Sequence, residues 1–251
     1  MLKKPAMSAA PAPANPPTAP HASTKTLEGH GPHGPQAVLV HELPVRLWHW
    51  VSVAAISVLS ITGYLIGHPL PSTPGEASSQ FLMGYIRFAH FSAGYVFASA
   101  FVGRLYWAFV GNRVASELFT LPVFSAKYWR GLVDMLKWYA FLGPQPEHYE
   151  GHNPLARTSM VFGYTFLTLW MTFTGFALYG EGTQAGSWAE RWFGWVIAAC
   201  GQSQDVHTLH HLGMWAMLVF VIAHVYAVVR DDIVGEHSTI SSMISGWRAS
   251  K

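Results

Sequence analysis

The sequence predicts an all-α membrane protein, a four-transmembrane-helix bundle with an amphipathic cytoplasmic surface helix. Three observations carry this. Charged residues make up 11% of the 251 residues and hydrophobic ones 51%, whereas a soluble domain uses about 25% charged residues to cover itself. Four separate runs lack charge for long enough to cross a bilayer core, which takes about 20 residues. The basic residues between those runs fall overwhelmingly on one side. Mean hydropathy is +0.23 although the first 35 residues are polar and rich in Pro and Ala. The near balance of 15 Lys+Arg against 13 Asp+Glu, with no basic stripe, argues against a nucleic-acid partner.

Taken in chain order, residues 1–37 read as a disordered Pro/Ala-rich N-terminal tail, typified by Pro11-Ala-Pro-Ala-Asn-Pro-Pro17. The tail has no apolar h-region of about 7–15 residues, so it is not a signal peptide, and the N-terminus is expected to stay cytoplasmic. His21, His30 and His33 in it read as solvated. The rest, residues 38–251, reads as one membrane domain. Its spans are expected at 47–67, 88–110 (interrupted only by Arg104), 158–180 and 209–229. Between the second and third, residues 122–142 set Lys127, Arg130, Asp134 and Lys137 among Trp129, Leu132, Met135, Leu136 and Trp138, the pattern of a helix lying on a membrane surface. Residues 188–199 suggest a shorter one. With the N-terminus inside, Lys3, Lys4, Lys25, Arg46, Arg104, Arg113, Lys127, Arg130, Lys137, Arg157, Arg230, Arg248 and Lys251 are cytoplasmic, and only Arg87 and Arg191 are outside. Both termini are therefore expected inside, in a multi-pass protein surrounded by lipid.

The single cysteine, Cys200, excludes an intrachain disulfide, a Cys-ligated iron–sulfur cluster and the C-x-x-C-H attachment of a c-type haem. A redox cofactor held by this chain alone must use His, Met or Tyr, and there are 14 His. Ionisable side chains inside spans are expensive and point to function. His49, His90, His210 and His224 lie in or at the ends of three spans. Singly, each reads as well as a histidine bonded to a neighbouring helix; their depths change that. His210 and His224 are 14 residues apart, about 40° short of four turns and about 21 Å along the axis, so they share a face. His211 faces elsewhere. The first span runs outward and places His49 at the inner depth of His224. The second runs inward and places His90 at the outer depth of His210. Two facing histidines in a bundle make a bis-imidazole haem site, and two such sites stacked across the bilayer make an electron path.

Gly63 lies 14 residues after His49, Gly94 one turn from His90, and Gly213 three residues after His210. A flat macrocycle between helices needs such small residues, though close helix packing explains each equally well. Arg87 is one turn from His90, and Arg104 is 14 residues from it on the same face. Either suits haem propionates; snorkelling or topology is the alternative for both.

Arg46-Leu-Trp-His-Trp50 followed by Ile61-Thr-Gly63, then Gly151-His-Asn-Pro-Leu-Ala-Arg157, Val206-His-Thr-Leu-His-His-Leu-Gly-Met-Trp215 and His224-Val-Tyr-Ala-Val-Val-Arg230 resemble the b-type cytochrome subunit of membrane-bound nickel–iron hydrogenases. The resemblance covers residue 38 to the C-terminus. It implies a four-helix dihaem cytochrome b domain, with two haem b groups on His49, His90, His210 and His224. It also implies two partners, a large subunit and a small subunit with iron–sulfur clusters and a C-terminal anchor helix. The implied role is an electron-transfer subunit of a hydrogenase:quinone oxidoreductase, with quinone as electron acceptor and no hydrogen chemistry in this chain.

A quinone site should lie near the inner pair, where His41, Glu42, Arg46, Arg157 and Asp231 are polar candidates, although interfacial anchoring explains each. His68, His207 and His211 could meet a partner. A dihaem anchor of another periplasmic oxidoreductase, such as a formate dehydrogenase, would fit the same depth argument. A His-containing membrane transporter belongs to a different class; none of the four predicted spans holds the Asp or Glu that transport usually needs. The string H-E-x-x-H of a zinc protease is absent.

Overall fold

A computed structural model of the chain describes residues 26–27, 37–71, 75–76, 80–144, 149, 152–234 and 239–249. Four helices are long and apolar enough to cross a membrane: α1 Leu43–Gly67, α2 Leu82–Val110, α5 Pro154–Glu181 and α8 Ser203–Ile233. Between them lie α3 Arg113–Ser116, α4 Ala126–Tyr139, α6 Trp188–Phe193 and α7 Trp195–Cys200, and α9 Thr239–Ser245 follows α8. Each long helix touches the next around a closed ring, α1 to α2 to α5 to α8 and back to α1, with α1–α2 and α5–α8 the most extensive of these contacts. The chain is thus an all-α membrane bundle. Val219, Ile222 and Val225 of α8, like Val102 and Phe109 of α2, point out of the ring as a lipid face requires.

Every span is longer than its uncharged run. Pro44 is tolerated in the first turn of α1, where its missing N–H costs no bond. Helix α8 continues past Arg230 through Asp231 and Asp232, because outside the hydrocarbon a charged side chain no longer opposes helix. Asn112, Ser125 and Asn153 cap α3, α4 and α5 by accepting from Ala115, Tyr128 and Ala156 N–H groups. Within α5, Ser159–Thr165 is a π-helical turn. It brings Gly163 so close to Phe220 that a Cβ there would lie 2.7 Å from the Phe220 ring.

Helix α4 does not simply float on the surface. Tyr128, Leu132, Met135 and Trp138 are buried, the Tyr128 hydroxyl donates to Pro154 O, and Arg230 donates to Trp138 O at 2.8 Å. Trp129, Val133 and Leu136 stay exposed, so one face packs under the bundle and the other is left for lipid. The predicted short helix at 188–199 is two helices, broken at Gly194.

Three short strands close the end of the bundle where α1 begins. β1 (Thr26–Leu27) pairs antiparallel with β2 (Ala37–Leu39), which pairs antiparallel with β3 (Trp247–Ala249) in the register Leu39↔Trp247. Thr26 and Leu27 belong to the segment expected as disordered tail; His21, His30 and His33 lie outside the described residues. The sheet joins the chain ends: Gly246 O accepts from Val40 N and His41 N at 2.9 and 3.1 Å.

Gly246 has φ +92°, and a Cβ there would sit 2.7 Å from His41 O. Both conditions exclude other residues. Gly246→Ala is expected to destabilise the protein by about 1–3 kcal/mol, read as a lower unfolding midpoint in detergent micelles, with the spans' helix content unchanged.

Candidate functional site

The ring of helices leaves a cavity of about 920 Å³ in the half where α1 ends and α8 begins. Its wall includes His90, His210, Arg87, Gly63, Gly94 and Gly175. His90 on α2 and His210 on α8 face each other across it, with ring centroids 6.4 Å apart and planes at 74°. One ring nitrogen of each is engaged by a threonine on the neighbouring helix. His90 Nδ1 lies 2.9 Å from Thr62 Oγ1 of α1, and His210 Nδ1 lies 2.8 Å from Thr174 Oγ1 of α5. Both threonines are followed by glycine, and a Cβ on Gly63 or Gly175 would lie 3.3 or 3.2 Å from Cε1 of the same histidine. Each Thr-Gly pair thus offers an oxygen and the room for the ring that meets it.

The second pair lies deeper along the bundle. His49 on α1 and His224 on α8 have ring centroids 6.5 Å apart at 54°. His224 stacks on Phe220 at 6.0 Å and 11°, the residue that the π-turn admits beside Gly163. His49 meets Trp50 edge-on at 5.0 Å, and its Nδ1 is buried without a hydrogen-bond partner among the described residues.

Arg104 is 3% exposed. One nitrogen donates to Ala115 O at 2.6 Å, the guanidinium lies over Trp48 and Phe119 at 5.3 and 5.5 Å, and Nε and Nη1 are buried with no partner among the described residues. Arg87 lines the cavity and is exposed. Gly94 also lines it, and a Cβ there would touch only Leu59, at 4.0 Å. Gly213 does something else: a Cβ there would lie 2.5 Å from Met171 Sδ and 3.0 Å from Trp170, so it serves the packing of α8 on α5. His211, expected to face away from the ligand pair, lies on the rim of the same cavity against Gly67, with its ring 5.8 Å from His68. His207 lines that rim too.

Sequence reasoning passed over Thr62, Thr174 and Gly175. The signal was present: Ile61-Thr-Gly-Tyr64 in α1 repeats as Phe173-Thr-Gly-Phe176 in α5.

The polar candidates near the inner pair are tied into the fold. Glu42 accepts from Trp107 Nε1 and Asn112 N, each at 2.9 Å. Arg46 donates to Ile244 O, Arg157 to Thr120 O, and Asp231 accepts from Thr239. His41 is 5% exposed with its ring 5.9 Å from His152. Burial, reinforced by the neighbouring His152 and Arg248, pushes the His41 imidazole down to about 3. Burial opposes the charge of Glu117, but hydrogen bonds from the ring and backbone N–H of His152, at 3.1 and 3.0 Å, outweigh it and hold the carboxyl below its usual range.

Residues 40–246 match the sequence model of the family described as prokaryotic cytochrome b561. The chain is 58% identical over 216 residues to the "Probable Ni/Fe-hydrogenase B-type cytochrome subunit" of Cupriavidus necator, covering 86% of this chain and 88% of that protein. The Azotobacter vinelandii protein of the same name is 57% identical, covering 86% and 90%. The "Probable Ni/Fe-hydrogenase 1 B-type cytochrome subunit" of Escherichia coli K12 is 47% identical, covering 84% and 91%. Haem b is the group such a cytochrome carries, and the residues fit it. Two imidazoles on opposite faces of one metal, each bonded at about 2 Å, put their ring centres about 6 Å apart, and both pairs show that spacing.

The buried His41 supplies a further measurable consequence. Its folded-state affinity for a proton is below the unfolded one, so the unfolded chain binds more protons between about pH 3 and 6.5, and stability falls as pH falls through that window. Unfolding at pH 4.5–7 is expected to show wild type losing up to about 1.4 kcal/mol per pH unit relative to His41→Gln. Parallel pH profiles for the two proteins would contradict this.

Proposed function

The chain belongs to the prokaryotic cytochrome b561 family, and we propose that it is the dihaem b-type cytochrome subunit that anchors a periplasmic nickel–iron hydrogenase in the bacterial inner membrane and passes its electrons to quinone. One observation carries the reading: two pairs of histidine rings, at 6.4 and 6.5 Å, stacked at successive depths of one four-helix bundle. His90 and His210 hold the outer haem and His49 and His224 the inner one, each through a neutral ring nitrogen. A haem between each pair supplies a one-electron iron couple, and two at successive depths let electrons that enter on the periplasmic side leave to quinone on the cytoplasmic side.

The chain's own residues do the rest. Gly63 and Gly94 leave room for the macrocycle beside α1 and α2. Arg87 at the outer site and Arg104 at the inner one pair with propionates; the two unpartnered nitrogens of Arg104 suit a carboxylate. Lipid-facing Val, Ile and Phe cover the outside of the ring against hydrocarbon. Both termini face the cytoplasm, as the distribution of basic residues favours. The hydrogenase small subunit, with its iron–sulfur clusters and an anchor helix, meets the open end of the outer cavity, and the large subunit carries the hydrogen chemistry.

The purified complex should contain two haem b per copy of this chain, and nickel should co-purify with it. His210→Ala is expected to remove one haem and His211→Ala neither, counted from reduced-minus-oxidised spectra. A single haem per wild-type chain, loss of haem in His211→Ala, or a molybdenum-containing partner would overturn the assignment.

A further inference from the structure

The outer histidines are held by hydroxyls whose only proton is already committed. Thr62 Oγ1 donates to Val58 O at 2.6 Å and Thr174 Oγ1 donates to Trp170 O at 2.7 Å, each to the carbonyl one turn back in its own helix. A hydroxyl has one proton and two lone pairs. Toward His90 and His210, at 2.9 and 2.8 Å, each can therefore only accept. With the hydroxyl protons so placed, Nδ1 of both rings carries the N–H and Nε2 presents its lone pair.

The inner site is built differently. His49 Nδ1 is buried with no acceptor among the described residues, and His224 packs against the face of Phe220. An imidazole whose outer N–H is bonded to an oxygen is a stronger donor to iron than one whose N–H is unbonded, and stronger donation stabilises the oxidised metal.

Resting on the dihaem reading above, we propose that Thr62 and Thr174 are positioning residues that lock the outer histidines as Nδ1–H tautomers and hold the outer site at a lower reduction potential than the inner one. The two hydroxyls act on both axial ligands of one iron and on neither ligand of the other. That asymmetry makes transfer from the outer to the inner site downhill, and it is encoded in two Thr-Gly pairs on helices α1 and α5. Gly63 and Gly175 serve the same geometry, since a side chain on either would press on Cε1 of the ring its neighbour bonds.

Potentiometry of the purified complex, followed in the haem absorption bands, tests this with Thr62→Val, Thr174→Val and the double variant. Valine keeps the shape and removes the acceptor. The outer component, identified as the one missing from His210→Ala, should move to higher potential in each single variant and further in the double, and its low-spin EPR signal should shift. The inner component should stay in place. Thr62→Ser and Thr174→Ser should restore the wild-type potential, because serine can donate to the same carbonyl and accept from the same ring. If a valine variant loses the outer haem while its serine counterpart keeps it at the wild-type potential, the positioning role stands. Two retained haems with an unmoved outer potential, an equal shift of both components, or haem loss that serine fails to rescue would overturn it. A wild-type preparation with fewer than two haems would instead overturn the dihaem reading itself, so the two failures are separable.

Discussion

Within the hydrocarbon layer no polar group can turn to water, so each must find its partner in the protein. Helices meet this condition for the backbone. Side chains must meet it one by one, and the way they do so explains most of the interior. Thr62 and Thr174 bond back to their own helices and forward to histidine. Ser57 bonds back to Val53 O. Arg104 spreads one donor onto Ala115 O and its flat face onto Trp48 and Phe119. What is left unmatched under so strict a condition is informative. Among the described residues, His49 Nδ1 and two nitrogens of Arg104 are buried without a hydrogen-bond partner.

The two ends of the bundle answer different demands. At the end where α1 begins, Glu42 ties Trp107 and Asn112 to the α1 entry, Glu117 clasps His152, and the strands join Leu39 to Trp247. Helix α4 is wedged beneath, pinned by Tyr128 on Pro154 and by Arg230 on Trp138. Such a knit end holds its geometry against solvent. The opposite end opens into the cavity rimmed by His68, His207 and His211. Under the proposed function this difference is useful, because the open end can meet a partner while the fold is secured elsewhere.

How far the site could be read from residues alone depended on whether its geometry lay within one helix. The depth of His49, His90, His210 and His224 follows from rise per residue and span direction, and the rings meet as that arithmetic places them. Which way Gly213 and His211 face does not. Gly213 is occupied by Met171 and Trp170, and His211 swings to the rim beside Gly67, because the cavity is broader than a single helical face. The threonines escaped notice because a Thr in a span is ordinarily satisfied by its own i−4 carbonyl. Their second bond exists only once α1 lies against α2 and α5 against α8.

By itself the amino-acid sequence determined that this chain has four segments fit to cross a membrane and that the ionisable groups within them are mainly histidines at two depths. Charge and apolar length act through the solvent, and the bilayer reads them segment by segment without reference to the rest of the fold. It could not determine helix ends, the π-turn at Ser159–Thr165, the buried face of α4 or the oxygen that each outer histidine bonds. Those depend on which surfaces approach within hydrogen-bonding distance, and only the closed ring of helices brings them there.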